Sequence, residues 1–290
     1  MAFFDLKDRF NFRKRVDGSA EDVSDRGSTS WRTSDRWRPR KRYAAAERPA
    51  DSGALHGRLP AIILEYAQLS GRHSLLAETI LASLQTFGFF TGTAIRYLEY
   101  PWVIENILRA PAPGTVLDVG AGVSPVPLIL ASRGWTVTTI DYSQTTRSLS
   151  QSGRINEWGY LDYQEADRRI RSFNQDFSQA EFTPKSFDVI YSVSVIEHVP
   201  ASTRRDMIGA AGRYLKSGGK LILTLDLEPG GFQLWNRNLG KVVEAPKAHG
   251  TLDHVLGELR EIGLDIDQFE MHRNLPKSNT DVVFLSATKV

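Results

Sequence analysis

The chain has 290 residues, of which 41% are hydrophobic and 24% charged, and its formal net charge is +2. A chain of this length and apolar content can bury a substantial core in one domain, with room for an appendage. Its near-neutral charge provides no global electrostatic argument for nucleic acid as a partner. The absence of cysteine excludes disulfides, zinc–thiolate and iron–sulfur sites, and any mechanism that uses a cysteine nucleophile.

The first 56 residues differ in composition from the rest. Ser, Asp, Arg and Gly dominate residues 17–51, so little apolar surface is available to offset the entropy of ordering. We therefore expect a mostly disordered basic tail over residues 1–56. Residues 31–43 interleave Trp with six Arg or Lys, which leaves open a contact with RNA phosphates or, peripherally, with an anionic membrane surface. No signal-peptide core and no run of about 18 apolar residues is present, so we expect a soluble cytoplasmic protein.

Residues 57–112 have the periodicity of helices. Apolar positions recur at intervals of three and four in LPAIILEYAQL and again in HSLLAETILASLQTF. Pro101 suits the first position of a further helix, which we expect from Trp102 to Leu108 because proline is favoured where a helix begins. The segment predicts a helical lid or cap that packs against the domain that follows it.

From residue 113 onward, strand patterns alternate with helix patterns. β-Branched and apolar runs predict seven strands, at residues 115–119, 136–141, within 169–176, 186–192, 218–227, 264–270 and 281–290. A helical and irregular stretch precedes the third strand, and helices are expected at residues 202–215 and after Thr251, which suits an N-cap. Strands separated by helices pair in parallel through right-handed crossovers. The last two strands lack an intervening helix, so a hairpin would make one terminal strand antiparallel.

These patterns predict an α/β fold for residues 113–290. It is a Rossmann-like, doubly wound and mostly parallel seven-stranded sheet with an antiparallel terminal strand, preceded by the helical lid and the N-terminal tail.

A glycine-rich turn follows the first strand. Asp118 closes that strand, Gly120 and Gly122 turn the chain tightly, and Asp141 ends the next strand. An acid about 20 residues beyond such a turn is placed to bind a ribose diol. Dinucleotide-binding dehydrogenases share this layout, but they place a third glycine where this chain has Pro125. The carboxylate of Asp118 also disfavours a pyrophosphate beside the turn and favours a cationic ligand, held directly or through water.

At this point residues 113–290 resemble the class I methyltransferases that depend on S-adenosylmethionine (SAM). The D-x-G-x-G pattern of that family matches Asp118, Gly120 and Gly122, and two further family patterns match SFDVIYSVSVIEHV (186–199) and LKSGGKL (215–221). The resemblance implies SAM as cofactor. It also implies a set of cofactor-binding residues: Asp118, Gly120, Ala121, Gly122, Asp141, Tyr142, Asp176, Phe177, Ser192 and Val193.

Catalytic and acceptor-binding residues are less sharply marked. His198 follows the fourth strand and has an intrinsic pKa suited to accept a proton, while the Glu197–His198 pair could instead hold its loop. In similar enzymes an upstream helix covers the cofactor, which implies that Tyr97 and Tyr100 line the site as acceptor contacts. The alternative is that they only pack the helix against the domain. The loop after the fifth strand is long and rich in glycine and aromatic residues. Its candidate acceptor contacts are Asp226, Glu228, Trp235, Asn236, Arg237 and His249. No metal ligand set is predicted.

The expected reaction is in-line methyl transfer from SAM. Residues 192–195 read Ser-Val-Ser-Val and lack the Asn/Asp-Pro-Pro-Tyr turn of amino-methylases, which argues against base N-methylation of that type. This leaves O-methylation of a small molecule or saccharide, which we expect, or methylation of another heteroatom. Three alternatives stay open: an RNA-directed methyltransferase that docks through the basic tail, a SAM-binding protein without turnover, and, at the level of the fold, an NAD dehydrogenase. The acceptor, any general base and the oligomeric state are not specified by the sequence.

Overall fold

A computed structural model of the protein describes residues 61–110, 113–149, 157–238 and 240–290. They belong to one of the two units into which the chain divides, Pro39–Val290. The predicted basic tail, residues 1–56, lies outside the described residues.

Within residues 61–110, three helices precede the sheet: α1 (Ala61–Ser70), α2 (His73–Phe87) and α3 (Arg96–Leu108). Helices α1 and α2 pack on α3, and α3 packs on the sheet. Trp102 in α3 is fully buried, its ring lies 5.2 Å from that of Phe284, and its Nε1 donates to Glu270 Oε1 at 2.8 Å. These two partners lie on the last two strands of the chain, at one edge of the sheet. The Trp102 side chain therefore packs the helical segment against that edge.

The predicted start of the third helix is wrong. Helix α3 begins at Arg96, and Pro101 lies inside it. The first turn forms without Pro101, because the amides of Arg96 and Tyr97 donate to carbonyls at Thr93 and Ala94. The helix then tolerates the missing proline N–H because almost every side chain around it is buried.

The seven predicted strands all form, and together they make one sheet. They are β1 (Thr115–Val119), β2 (Thr136–Asp141), β3 (Arg171–Asn174), β4 (Phe187–Val193), β5 (Leu215–Leu227), β6 (Leu264–His272) and β7 (Asp281–Lys289). Their spatial order is β6-β7-β5-β4-β1-β2-β3. Strand β7 is antiparallel to both of its neighbours, and every other pair is parallel. The predicted fold class, with its antiparallel terminal strand, is confirmed.

Four helices accompany these strands: α4 (Val126–Ser132), α5 (Ala201–Tyr214), α6 (Pro246–His249) and α7 (Leu252–Glu261). Thr251 caps α7 as predicted, in a capping box with His254. Apolar side chains of β1, β4, β5 and β7 form the core with the inner faces of α5 and α7. None of the described helices is long and apolar enough to cross a bilayer.

The connection from β2 to β3 differs from the expected helical stretch. In its described parts, residues 142–149 and 157–170, there is no α-helix. The two-residue strands Thr146–Arg147 and Tyr160–Leu161 pair in parallel, and a single 3-10 turn follows at Tyr163–Glu165. The polar composition of this stretch provides no apolar stripe for an α-helix. The chain instead folds back toward the glycine turn.

Candidate functional site

The glycine turn after β1 has the tight geometry that its sequence predicts. Gly120 and Gly122 have φ of 76° and 49°, a region that side chains other than glycine rarely adopt. A Cβ on Gly120 would lie 2.4 Å from a methyl carbon of Val195, and one on Gly122 would lie 2.7 Å from the carbonyl oxygen of Glu157. The turn is thus enclosed between the loop after β4 and the connection from β2 to β3.

Tyr163 supports this turn from beneath. Its side chain is fully buried. Its hydroxyl accepts from the Ser124 amide at 2.7 Å and lies 3.1 Å and 3.0 Å from the carbonyl oxygens of Gly122 and Ser124. One phenol therefore fixes three backbone groups of the turn.

Removing that hydroxyl is expected to loosen the turn. Tyr163→Phe leaves the buried Ser124 amide without a partner, which costs about 1–3 kcal/mol of unfolding free energy. Urea unfolding of the variant measures this loss. Tyr160→Phe is the matched control, because the Tyr160 hydroxyl has no hydrogen bond to a described residue. Equal stability of the two variants would contradict the role of Tyr163.

Asp118 lies directly below the turn. It is 2% exposed, and the Tyr191 hydroxyl donates to its Oδ2 at 2.7 Å. Burial raises the pKa of the Asp118 carboxyl to about 8, against the opposing effect of the Tyr191 hydrogen bond. A cationic group of a ligand would favour the ionised form. This environment suits the cationic ligand group that the sequence predicts beside Asp118.

Asp141 ends β2 beside the same turn. Its Oδ2 accepts from the Gly122 amide at 2.6 Å. Burial raises the pKa of the Asp141 carboxyl, while backbone hydrogen bonds from Gly122 and Tyr142 lower it. The position matches that expected for an acid that binds a ribose. Tyr142 itself is 69% exposed, so its ring is free to contact a planar ligand.

The other expected cofactor residues occupy different environments. Asp176 accepts from the Ser178 amide at 2.8 Å and caps a short 3-10 helix, which holds its carboxylate at the end of β3. Phe177 is buried in the core against Tyr214. Ser192 is also buried and donates to the Val119 carbonyl oxygen at 2.8 Å. Their roles toward a cofactor stay predictions.

Glu157 joins the helical segment to the glycine turn. Its carbonyl oxygen accepts from the Val123 amide at 3.2 Å, and its carboxylate accepts from Thr93 Oγ1 at 2.5 Å and from Thr91 Oγ1. Tyr97 reinforces this junction by donating to the Thr91 carbonyl oxygen at 3.1 Å. Tyr100 is buried, and its hydroxyl lies close to Ser124 at the glycine turn. The roles of both tyrosines toward an acceptor stay predictions.

A compact charged cluster lies at the carboxyl ends of β4 and β5. One ligating atom each from Glu197, His198 and Asp226 lie within 4.8 Å of one another. Glu197 is fully buried and accepts from the Asp226 amide at 2.8 Å. Burial raises the pKa of each of the two carboxyls to about 8, and burial lowers the pKa of His198. These three residues are named the edge cluster below.

Helix α3 contributes a buried ion pair beside the edge cluster. Arg96 pairs with Glu99, and both side chains are almost completely buried. Glu99 Oε1 also accepts from Ser194 Oγ and Thr224 Oγ1, each at 2.6 Å. The pair therefore links the helical segment to the ends of β4 and β5.

The loop after β5 forms an open cleft of about 590 Å³ next to the edge cluster. Four of the six candidate acceptor contacts line it: Glu228, Asn236, Arg237 and His249. His198 Nδ1 lies 2.7 Å from the Arg237 carbonyl oxygen, and His249 Nε2 lies 3.0 Å from that of Glu197. Trp235 lies outside the lining, where its ring meets the Arg237 guanidinium at 6.0 Å.

Sequence reasoning missed Glu99, Glu157, Tyr163 and Tyr191. The three-residue spacing of Arg96 and Glu99 is a weak signal of an ion pair within a helix. Tyr191 becomes visible only once β1 and β4 are paired, since it lies opposite Asp118 in that register. The contacts of Glu157 and Tyr163 are set by the fold of the connection from β2 to β3, and no local pattern marks them.

Comparisons with known proteins agree with this architecture. A family described as a methyltransferase domain matches residues 94–266, which is more than half of the chain. A ubiquinone biosynthesis O-methyltransferase of Pseudomonas paraeruginosa is 30% identical over 131 residues, 45% of this chain and 51% of that protein. One from Pseudomonas putida is 28% identical over 141 residues, 48% of this chain and 56% of that protein. The chain thus spans about half the length of these curated relatives.

A solved structure gives the same result for the fold. The crystal structure of Burkholderia thailandensis 1,6-didemethyltoxoflavin-N1-methyltransferase, with bound 1,6-didemethyltoxoflavin and S-adenosylhomocysteine, superposes with a TM-score of 0.51 at 16% identity. The match covers 81% of this chain and 92% of that one. At this identity the likeness establishes the shared fold.

Proposed function

Since this chain belongs to the methyltransferase-domain family and is a SAM-dependent class I methyltransferase, we propose that it methylates a hydroxyl oxygen of a small molecule or saccharide. The observation that carries the proposal is the edge cluster. It places an imidazole and two carboxyls at the carboxyl ends of β4 and β5, where open α/β sheets bind ligands. The names of the Pseudomonas relatives, which are O-methyltransferases, support an oxygen acceptor.

The cofactor is proposed to be held by the residues around the glycine turn. When bound, SAM supplies a methyl carbon on a sulfonium: the oxygen–carbon bond forms as the carbon–sulfur bond breaks, and that electron pair stays on sulfur. Asp118 attracts the ammonium group and Asp141 binds the ribose hydroxyls. The chain's task is to hold the acceptor oxygen in line with the methyl group, because positioning contributes most of the rate of such a displacement.

The acceptor is proposed to enter through the cleft that Glu228, Asn236 and Arg237 line. Val195 connects the two halves of the site, because its side chain touches the Gly120 turn and it lies two residues before Glu197. His198 is one-fifth exposed and thus faces solvent at the end of this cleft. An acceptor hydroxyl bound there lies beside the imidazole of His198, and its proton leaves to that ring or to the solvent that the open cleft admits.

The proposal is tested by separating cofactor binding from methyl transfer. His198→Ala is expected to lower kcat for hydroxyl acceptors by about 100-fold or more. It should leave the SAM dissociation constant within about threefold, because the His198 side chain hydrogen-bonds to the Arg237 carbonyl oxygen in the loop after β5. Calorimetry with SAM and product detection with a panel of phenols and sugars measure the two effects. Transfer to amine acceptors alone would contradict the proposal.

His254→Ala is the matched control. His254 is exposed in the first turn of α7, hydrogen-bonds to the cap residue Thr251 and lies against Gly250. Its loss should leave both SAM binding and methyl transfer close to those of the unaltered protein.

A further inference from the structure

The three ligating groups of the edge cluster have a spacing close to that of a metal shell. Their donor atoms lie within 4.8 Å of one another, and His198 Nε2 is 3.9 Å from Glu197 Oε1. Ligand atoms bound to a small divalent cation at about 2.1 Å lie about 3 to 4.2 Å apart. A small rotation of these side chains therefore completes a shell around one ion.

The tautomer of His198 leaves the lone pair of Nε2 able to bind a metal ion. Its Nδ1 lies 2.7 Å from the carbonyl oxygen of Arg237. A carbonyl oxygen only accepts hydrogen bonds, so Nδ1 carries the proton and Nε2 carries the lone pair of the neutral ring. Metal-binding histidines are commonly oriented by this kind of hydrogen bond from the second nitrogen.

Two buried carboxylate oxygens in the edge cluster lack partners. Glu197 Oε2 and Asp226 Oδ1 accept no hydrogen bond from any residue in the described part of the chain. Glu197 is fully buried, and a buried carboxyl oxygen without a hydrogen-bond partner is costly to maintain. A ligand bound by both side chains would supply the missing partner.

The charge of the cluster points to a cation. The positive charge of Arg96 acts to lower the pKa of both carboxyls. Arg96 itself, however, forms its ion pair with Glu99. Among residues 61–110, 113–149, 157–238 and 240–290, no Lys or Arg forms an ion pair with Glu197 or Asp226. When both carboxyls are ionised, their charge is one that a single divalent ion would balance.

We propose that Glu197, His198 and Asp226 bind one divalent cation of the magnesium–manganese class. Two carboxylates and one imidazole, with no thiolate, suit such a cation. Three protein ligands leave coordination positions open toward the cleft. If the proposed O-methylation holds, on which this step rests, those positions take the acceptor hydroxyl and a neighbouring oxygen, as in a catechol or vicinal diol. The ion then lowers the pKa of the hydroxyl, whose proton passes to solvent water in the open cleft, and fixes the oxygen for attack.

Manganese binding without any acceptor tests the site directly. The full chain, freed of metal with a chelator, is titrated with Mn²⁺, and free Mn²⁺ is counted by electron paramagnetic resonance. We expect one ion per chain with a dissociation constant at or below about 100 µM, and competition by Mg²⁺ or Zn²⁺. Asp226→Asn and Glu197→Gln should each weaken binding about tenfold or more.

Matched controls separate loss of ligands from loss of folding. Asp206→Asn removes an exposed carboxylate from α5 and should bind Mn²⁺ like the unaltered chain. Unchanged SAM affinity in Asp226→Asn and Glu197→Gln shows that both variants fold. The site is overturned if Mn²⁺ binds with no defined stoichiometry, or if the Asp226 and Glu197 variants bind it as tightly as the Asp206 variant.

The experiments distinguish failure of the proposed O-methylation from failure of the proposed metal site. Stoichiometric Mn²⁺ binding together with methyl transfer only to nitrogen acceptors would contradict the proposed O-methylation and support the metal site. Methylation of hydroxyls at the full rate by chelator-treated protein that binds no ion would contradict the metal site. That result would support the proposed function, with His198 acting directly on the acceptor.

Discussion

Asp118→Asn is expected to stabilise the protein without ligand while weakening its binding of SAM. Asp118 is buried without a cationic partner, and Asn keeps an oxygen that can accept the hydrogen bond from Tyr191. Removing the buried charge should therefore raise the free energy of unfolding at pH 8, by about 2 kcal/mol after relaxation. SAM affinity should fall about 10- to 100-fold, since a charge-assisted contact to the ammonium is lost.

The stabilisation has a defined dependence on pH. The pKa of Asp118 is about 8 in the folded protein and 3.8 in its ordinary state. Between about pH 4 and pH 8 the folded carboxyl holds its proton while the unfolded one has lost it, so the folded state binds more protons and its stability falls as pH rises. Asn does not titrate. The advantage of the variant should be near zero at pH 4, grow through this window and level off above pH 8.

Asp188→Asn serves as the control of opposite sign. Burial favours the neutral form of Asp188, but hydrogen bonds from Lys216 and Thr115 outweigh that effect and lower the pKa of the carboxyl. Its charge stabilises the fold above about pH 4, so the variant should lose stability at pH 8. Urea unfolding at pH 4, 6 and 8 measures both variants. A destabilised Asp118 variant at pH 8 would contradict the assignment of an uncompensated buried charge.

The parts of this fold that depend on local pattern are predictable from the sequence. The runs TVLDV and TVTTID are β-branched and bounded by turns, so each predicts its own strand. The two positive-φ glycines of the turn follow from their place between strand and helix. The capping box of α7 likewise lies within four consecutive residues, from Thr251 to His254. In each case the interactions that decide the structure lie within one element.

Contacts between distant elements are not predictable in this way. The Tyr191–Asp118 hydrogen bond joins residues 73 apart, and the one between Trp102 and Glu270 joins residues 168 apart. Both depend on strand order and register, which crossovers set. Pro101 was misplaced for a related reason, since tertiary burial of α3 outweighs the helix-breaking tendency of one proline. The edge cluster also combines the ends of β4 and β5, and neither segment alone indicates a metal ligand set.

Arg96→Met is expected to cause the largest loss of stability of any change considered for this protein. The substitution keeps the length of the side chain but leaves Glu99 buried and without its cation. Removing one partner of a buried ion pair costs about 3–5 kcal/mol. Glu99 retains only the hydroxyl donors of Ser194 and Thr224. The melting temperature and the urea midpoint should both fall sharply.

A double-mutant cycle shows whether this loss comes from the unpaired charge. Arg96→Met combined with Glu99→Gln should recover most of the stability, because Gln can still accept from Ser194 and Thr224 and carries no charge. Arg133→Met is the matched control: its ion pair with Glu78 also joins the helical segment to the sheet domain, but both side chains are more than one-third exposed. That variant should lose less than about 1 kcal/mol.

The cycle also bears on how the two halves of the site are connected. If the ion pair holds α3 against the ends of β4 and β5, Arg96→Met should weaken SAM binding as well. Tyr97 on the same helix donates to the Thr91 carbonyl oxygen, and the Thr91 hydroxyl donates to Glu157 beside the glycine turn. The double variant should then recover SAM affinity together with stability. Recovered stability with SAM binding still lost would instead mean that Arg96 contacts the cofactor or sets its field directly.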